Sequence, residues 1–450
     1  MGALSPSQAT NESEQQLVQL VEQILEEAKS QGASAAEANI GTGQGLAVTV
    51  RLGEVETVEH NRDKGLSVTV YFGKRSGSAS TSDFSPAAVR DSVRAACTIA
   101  KYTAEDACAG LADTERLAKN IPDLALYHPW KVDVERAIAL AHESEDVARQ
   151  ADARITNSEG ATVYTHQGLD AYGNSHGFIG SVASTRHNLS CAVIGQDSRG
   201  MQRDYWHTVA RDPSELETPA QVGGMAATRT LRRLGARQLA TCATPVIFEA
   251  PIASSLLAHF VTAIRGSRLY RHASFLLDHA GKQVFSPFVH IFEQPHLKKA
   301  LGSAPFDDEG VATAARDLVK GGVLLGYVLD SYSARKLGLQ TTGNAGGVHN
   351  LTIQPGSHNL PGLLKQMDTG LLVTELIGFG VNTVTGDYSR GAVGFWVEGG
   401  EIQYPVEEIT IAGNLKDMFM QISEVGNDID ARGSIRAGSI LIANMMVAGK

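Results

Sequence analysis

Twice within the first 236 residues the apolar pattern of this chain switches from a helical period to a strand period and back, and beyond Leu239 that alternation stops. Such switching dictates the fold class, because a period near 3.6 buries one face of a helix and a period of two buries one face of a sheet. Ser13 with Gln16 reads as a capping box ahead of Leu17, Val18, Leu20, Val21, Ile24, Leu25 and Ala28, a helical stripe that Gly32 ends. Before it, residues 1–12 are polar and are expected to form a disordered tail. Alternating runs at 46–52, 55–60 and 66–72 predict antiparallel strands, and Pro86 sits just inside a second helix over 85–100. The sequence then repeats the scheme, with a helix over 133–150, strand pieces between 155 and 209, and a helix after Pro213 that runs through Arg232. The expectation is an α+β protein with two helix–sheet–helix modules, residues 13–104 and 131–236, as a weak internal duplication. Residues 105–130, punctuated by Pro122 and Pro129, form the linker. From residue 240 to 450 glycine is frequent, and β-branched runs recur at 246–248 and 322–329, which predicts a β-rich C-terminal domain.

Residues 386–418 of that domain are dense in specific side chains yet contain no cluster of metal ligands or nucleophiles. Runs at 395–398 and 401–404 flank Gly399-Gly400, a pair suited to a tight hairpin turn. A further strand is expected at 409–412, after which Asn414 can cap a helix beginning LKDMFM. This segment, and most of the chain from about Gly45 onward, resembles the PmbA (TldE) branch of the PmbA/TldD metallopeptidase family. The resemblance implies two α+β modules before a mostly β C-terminal domain. It also implies a division of labour, since TldD-type members carry a zinc motif and PmbA-type members do not.

Composition narrows the function classes. With 450 residues, 43% hydrophobic and 20% charged, the chain is a soluble protein of two or three domains. A formal net charge of −10 argues against direct nucleic-acid binding, which draws its affinity from Lys and Arg displacing phosphate counterions. The family's older label, modulator of DNA gyrase, would then describe an indirect effect. No apolar run is long enough to span a bilayer, the N-terminus lacks a secretory pattern, and Pro6 breaks the myristoylation pattern that Met1-Gly2 begins. Cys97, Cys108, Cys191 and Cys242 show no CxxC spacing and suit reduced thiols in a cytoplasm.

By the resemblance, a TldD-type chain carries HExxxH on a helix, with two imidazoles for zinc, a glutamate as base, and a cysteine near the C-terminus as third ligand. Here His259 takes the place of the first ligand, Phe260 that of the glutamate, Ile264 that of the second histidine and Val425 that of the cysteine. A protein zinc site needs three or four ligands, and one imidazole does not make one. The expectation is therefore no catalytic residue and no cofactor in this chain, with zinc in a TldD-type partner.

Other motifs have plainer readings. His290, Glu293 and His296 are spaced by three, but Pro295 interrupts any helix that would align them. His349 and His358 lie in a glycine-rich loop segment. Gly173-Asn174-Ser175-His176-Gly177 matches GxSxG, yet strand-like sequence follows where a nucleophile elbow needs a helix, so a β-turn is expected. Gly41, Gly43 and Gly45 precede a strand and do not form a phosphate cradle. Asp387, Tyr388 and Arg390, with Tyr332, Arg335 and Lys336, flank glycine-rich turns; they are candidate peptide contacts, with loop hydrogen bonding as the plainer reading.

The resulting expectation is a PmbA-type, non-catalytic subunit of a TldD/PmbA zinc metalloprotease acting on unfolded or flexible peptides, including peptide-antibiotic precursors and unstable small proteins. Its partner would be a TldD-type chain in a heterodimer, with a homodimer open to it when that partner is missing. The alternative is a stand-alone peptide-binding or regulatory protein without hydrolysis.

Overall fold

The computed structural model describes residues 6–449 and is an α+β structure. In the first module, α1 (Pro6–Ser30) precedes β1 (Ala35–Arg51), β2 (Glu54–Phe72), β3 (Arg75–Thr81) and α2 (Pro86–Tyr102). The second module repeats that order with α3 (Val134–Gln150), β4 (Ile155–Asn174), β5 (Ile179–Asp197), β6 (Gly200–Ala210) and α4 (Pro219–Arg232). The modules do not keep separate sheets. Their strands form one six-stranded antiparallel sheet in the order β3-β2-β1-β4-β5-β6, joined where β1 runs against β4 from Glu37↔Asn174 to Val50↔Ala161.

All four helices lie on one face of this sheet, and the alternation of β1 shows why. Ala36, Ala38 and Ile40 are buried with the side chains of α1 and α2, whereas Leu46, Val48 and Val50 are buried with those of α3 and α4. These residues share one parity and so one face. Between the two cores, Thr42 and Gln44 leave a polar gap.

Local chemistry explains the helix ends. Ser85 caps α2, with Pro86 at its first position, and the Asp133 carboxylate accepts from the Arg136 N–H at 2.8 Å to cap α3. Three expectations change. α1 begins at Pro6, so Ser13 and Gln16 lie inside the helix rather than capping it, and the polar tail expected over 1–12 is helical from Pro6; residues 1–5 lie outside the described residues. The runs at 55–60 and 66–72 are one strand, β2, continuous through polar residues that are exposed. After Pro213 there is only a single 3₁₀ turn, Pro213–Glu215; α4 starts at Pro219, with a capping box between Thr218 and Gln221.

The C-terminal part opens with β7 (Cys242–Phe248) and α5 (Ala250–Ile264). A small sheet follows from β8 (Ile291–Glu293), β9 (Arg316–Lys320), β10 (Val323–Leu324) and β11 (Leu351–Ile353). The larger, six-stranded sheet comprises β7 with β12 (Gly370–Ile377), β13 (Asp387–Glu398), β14 (Glu401–Asn414), β15 (Ile422–Val425) and β17 (Ile440–Ala448), whereas β16 (Ile435–Arg436) joins the small sheet. β14 pairs with both β13 and β17, which closes β7, β12, β13, β14 and β17 into a ring. The β13–β14 hairpin turns at Gly399 and Gly400, whose φ of 61° and 75° suit the two central positions of such a turn. The Asn414 side chain accepts from the Lys416 N–H at 3.1 Å and caps the short helix Leu415–Met420.

Candidate functional site

Helix α5 carries the positions at which a zinc motif would stand. Its apolar stripe, including Leu256, Leu257, Phe260 and Ile264, is buried in the main core of the C-terminal domain. Phe260 is fully buried, with ring centroids 5.0 Å from Phe285 and 6.2 Å from Phe419, both edge-on. Ile264 and Val425 belong to the same apolar cluster, and Val425 is held there by pairing of β15 with β17 opposite Ile440. Hydrocarbon occupies three of the four positions, so the donor set does not fit zinc. Among the described residues no three His, Cys, Asp or Glu side chains come together as a metal site.

His259 lies on another face of α5, edge-on to the Tyr388 ring at 6.0 Å. Its Nε2 and the Tyr388 hydroxyl are both buried without a hydrogen-bond partner. Burial lowers the His259 pKa, with the Arg390 charge adding to the effect, and burial raises that of Tyr388. At neutral pH both groups are therefore uncharged. Strand alternation separates the three candidate contact residues. Tyr388 and Arg390 share one side of β13, whereas Asp387 points to an exposed turn, bonded to Thr385 at 2.6 Å and Asn414 at 3.1 Å.

Arg390 opens onto a cleft of about 430 Å³ between the second module and the C-terminal domain, close to the start of α5. Its walls come from β6, α4, the first turns of α5, the β12–β13 strands and the 430–433 loop. Charges here are mostly paired. Arg229 reaches Asp204 at 3.3 Å and Glu249 at 3.0 Å, Arg232 reaches Glu249 at 3.1 Å, and Arg233 reaches Glu375 at 2.6 Å. Arg432 pairs with Asp430 at 2.5 Å and stacks over Trp206 at 4.0 Å. Burial and the Arg432 charge push the His207 pKa down to about 4. The cleft offers Ser254, Ser255 and Arg390 to a ligand, a set able to hold a polar backbone but without a nucleophile paired to a base.

The remaining sequence candidates have structural partners. Ser175 sits in the β4–β5 turn and its hydroxyl accepts from the Ala36 N–H at 3.0 Å. Gly41, Gly43 and Gly45 lie within β1. Glu293 is on a strand, buried against Arg316 at 3.0 Å and Asn344 at 2.8 Å, while His290 pairs with Asp317 at 2.7 Å and His296 with Thr313 at 3.0 Å, so the three do not converge. His349 faces the Gly343 carbonyl at 3.3 Å and His358 faces Glu424 at 3.4 Å. Tyr332, Arg335 and Lys336 clamp the linker. Tyr332 donates to Asp106 at 2.6 Å, Lys336 to Asp106 at 2.9 Å, and Arg335 to the carbonyls of Gly110 and Leu111 and to Asp113.

A second cleft, of about 490 Å³, was not anticipated from the sequence. It lies between the outer end of β1 and the C-terminal domain and is lined by Glu37, Asp308, Glu309 and Asp330. Burial lifts the Glu309 carboxyl to about 7 and that of neighbouring Asp307 to about 6. The run Asp307-Asp308-Glu309 is legible in the sequence, but its approach to Glu37 depends on tertiary contacts.

Comparison with known proteins matches the chain along its length. The PmbA/TldA metallopeptidase domain 1 matches residues 36–100, the central domain residues 127–234 and the C-terminal domain residues 241–449. The metalloprotease PmbA of Escherichia coli O157:H7 is 51% identical over 440 residues, which cover 96% of this chain and 98% of that relative. A solved structure from Bacteroides thetaiotaomicron VPI-5482 has a TM-score of 0.91 at 28% identity, over 96% of this chain and 98% of that one. TldE from Thermococcus kodakarensis has a TM-score of 0.81 at 20% identity, over 96% and 100%, a likeness of fold alone.

Proposed function

This chain belongs to the PmbA/TldD metallopeptidase family, and from that premise we propose that it is a PmbA-type subunit with no zinc chemistry of its own. The observation that carries the reading is the burial of Phe260, Ile264 and Val425 in one hydrocarbon core, where zinc donors and a general base would be required. Zinc and the catalytic water belong to a TldD-type partner in this account. The substrates are unfolded or flexible peptides, which can lie extended against a cleft that excludes folded domains. This chain contributes wall and grip, with Arg390, Ser254 and Ser255 facing the cleft beside α5. A cytoplasmic setting is part of the same proposal, resting on the lack of CxxC spacing among Cys97, Cys108, Cys191 and Cys242.

Metal analysis of the purified chain, of a TldD-type partner and of their complex tests the assignment. Zinc should accompany the partner and the complex in equal amount and be absent from this chain alone. Stoichiometric zinc on this chain alone would overturn it.

A further inference from the structure

The cleft beside α5 holds one cation that no acidic group of the described residues neutralises. Its charged lining sets Asp204, Glu375 and Asp430 against Arg229, Arg390 and Arg432. The signs balance, but the pairs do not. Arg432 is taken by Asp430 at 2.5 Å and Arg229 by Asp204 at 3.3 Å, while Glu375 is claimed by Arg233, from outside the lining, at 2.6 Å. Arg390 is left over. Among the described residues no carboxylate lies within ion-pair distance of it, and its Nε donates to the Ile377 carbonyl at 3.3 Å. His259 and Tyr388, the titratable groups that feel its charge, are uncharged at neutral pH and supply no counter-ion. Arg390 is moreover half-buried, so it has given up part of its hydration without an ionic replacement.

The Ile377 contact uses Nε alone. Both Nη groups remain for a ligand, and their planar fork matches the two oxygens of a carboxylate. Two hydroxyls line the same cleft. Ser255 Oγ donates to the Ile252 carbonyl at 2.6 Å and keeps its lone pairs for a peptide N–H, whereas the Ser254 hydroxyl has no hydrogen bond among the described residues and can donate to a carbonyl or carboxylate oxygen. We propose that Arg390 anchors a peptide carboxylate, supplied by the chain end or by an Asp or Glu side chain, with Ser254 and Ser255 holding the main chain beside it. At about 430 Å³ the cleft falls within the range of small-ligand sites, about 300–1,000 Å³, and has room for the end or a short stretch of a peptide, not for a folded surface. Resting on the reading of this cleft as a peptide grip, the assignment gives that grip a preference for acidic over neutral and basic peptides.

Fluorescence anisotropy tests it on the full-length chain, alone and mixed with a TldD-type partner under a zinc chelator. One labelled, unstructured peptide without other acidic residues is offered in three versions: a free C-terminal acid, a C-terminal amide, and an amide with one internal Glu. An acidic version should bind about 10- to 100-fold more tightly than the neutral amide, as a charge-assisted pair warrants, and the version that does so identifies the source of the carboxylate. Arg390→Met should bring the acidic peptides down to the affinity of the amide. Arg390→Lys, which keeps the charge but not the fork, should fall between. Both variants should melt near the wild type, since among the described residues Arg390 bonds a single carbonyl, so a lost preference reports the ligand contact rather than unfolding. Equal affinity of the wild type for all three peptides, or an Arg390→Met chain that still prefers the acidic ones, overturns the carboxylate assignment alone. Failure of every peptide to bind, to the chain and to the chelated mixture alike, overturns the peptide grip and the assignment with it.

Discussion

Phe260→Glu supplies the general base that the resemblance places at this position, and it should unfold the domain instead of preparing a metal site. Phe260 has no exposed surface and packs between Phe285 and Phe419. Losing a buried ring of this kind costs about 3–5 kcal/mol. The new carboxyl enters a hydrocarbon cluster with no donor prepared for it, which adds about 1–3 kcal/mol even if it stays protonated. The total is comparable with the whole stability of an ordinary domain, about 5–15 kcal/mol. Thermal unfolding followed by circular dichroism should show a melting temperature lower by about 10 °C or more, or no soluble chain at all. Phe260→Leu, which keeps the site apolar, should melt far closer to the wild type. A Phe260→Glu chain that melts within a degree or two of the wild type would refute the reasoning. So would a triple Phe260→Glu, Ile264→His, Val425→Cys chain that folds and binds zinc stoichiometrically, because these positions would then line an open space.

Three further outcomes follow from other sites. Glu145 is fully buried and accepts from the Leu52 N–H at 2.8 Å and the Gly53 N–H at 2.9 Å, holding the β1–β2 turn where φ is 53° and 81°. Glu145→Ala should therefore cost about 2–4 kcal/mol in urea unfolding, with Glu145→Gln costing less. Arg335→Ala releases Gly110, Leu111 and Asp113, so limited proteolysis should cut within residues 103–130 faster than in the wild type while the sheet stays intact. Glu309, raised from an ordinary 4.5 to about 7, keeps in the folded chain a proton that the unfolded chain has already released. Stability should fall as pH rises between those values, by at most about 3 kcal/mol, and Glu309→Gln should flatten that part of the curve.

What could be read from the sequence was chemistry that acts over a few residues. Ser85 before Pro86, Asp133 before α3, Gly399-Gly400 between β13 and β14, and Asn414 before its helix all do locally what their types prescribe. The alternation of helix and strand gave the α+β class, but not the merger of two modules into one sheet. That merger rests on β1 meeting β4, strands more than a hundred residues apart, and no local pattern specifies which strand pairs with which over that distance. β2 read as two strands because Asn61, Arg62, Asp63, Lys64 and Gly65 are polar on both sides; an exposed edge has no buried face to impose alternation. Ser13 looked like a cap because a serine before an apolar stripe is one, and helical residues ahead of it carry no stripe of their own. At the site, the substitutions at 260, 264 and 425 were legible only through the resemblance. Their common burial, the contact of His259 with Tyr388 and the Arg229–Asp204–Glu249 pairs depend on residues brought together from distant segments.

The central claim, that this chain contributes no zinc chemistry of its own, is tested most directly by cleavage of an unstructured peptide. The peptide is offered to the purified chain, and to its mixture with a TldD-type partner, with and without a zinc chelator. Cleavage confined to the chelator-free mixture is the predicted result. Chelator-sensitive cleavage by this chain alone would contradict the account.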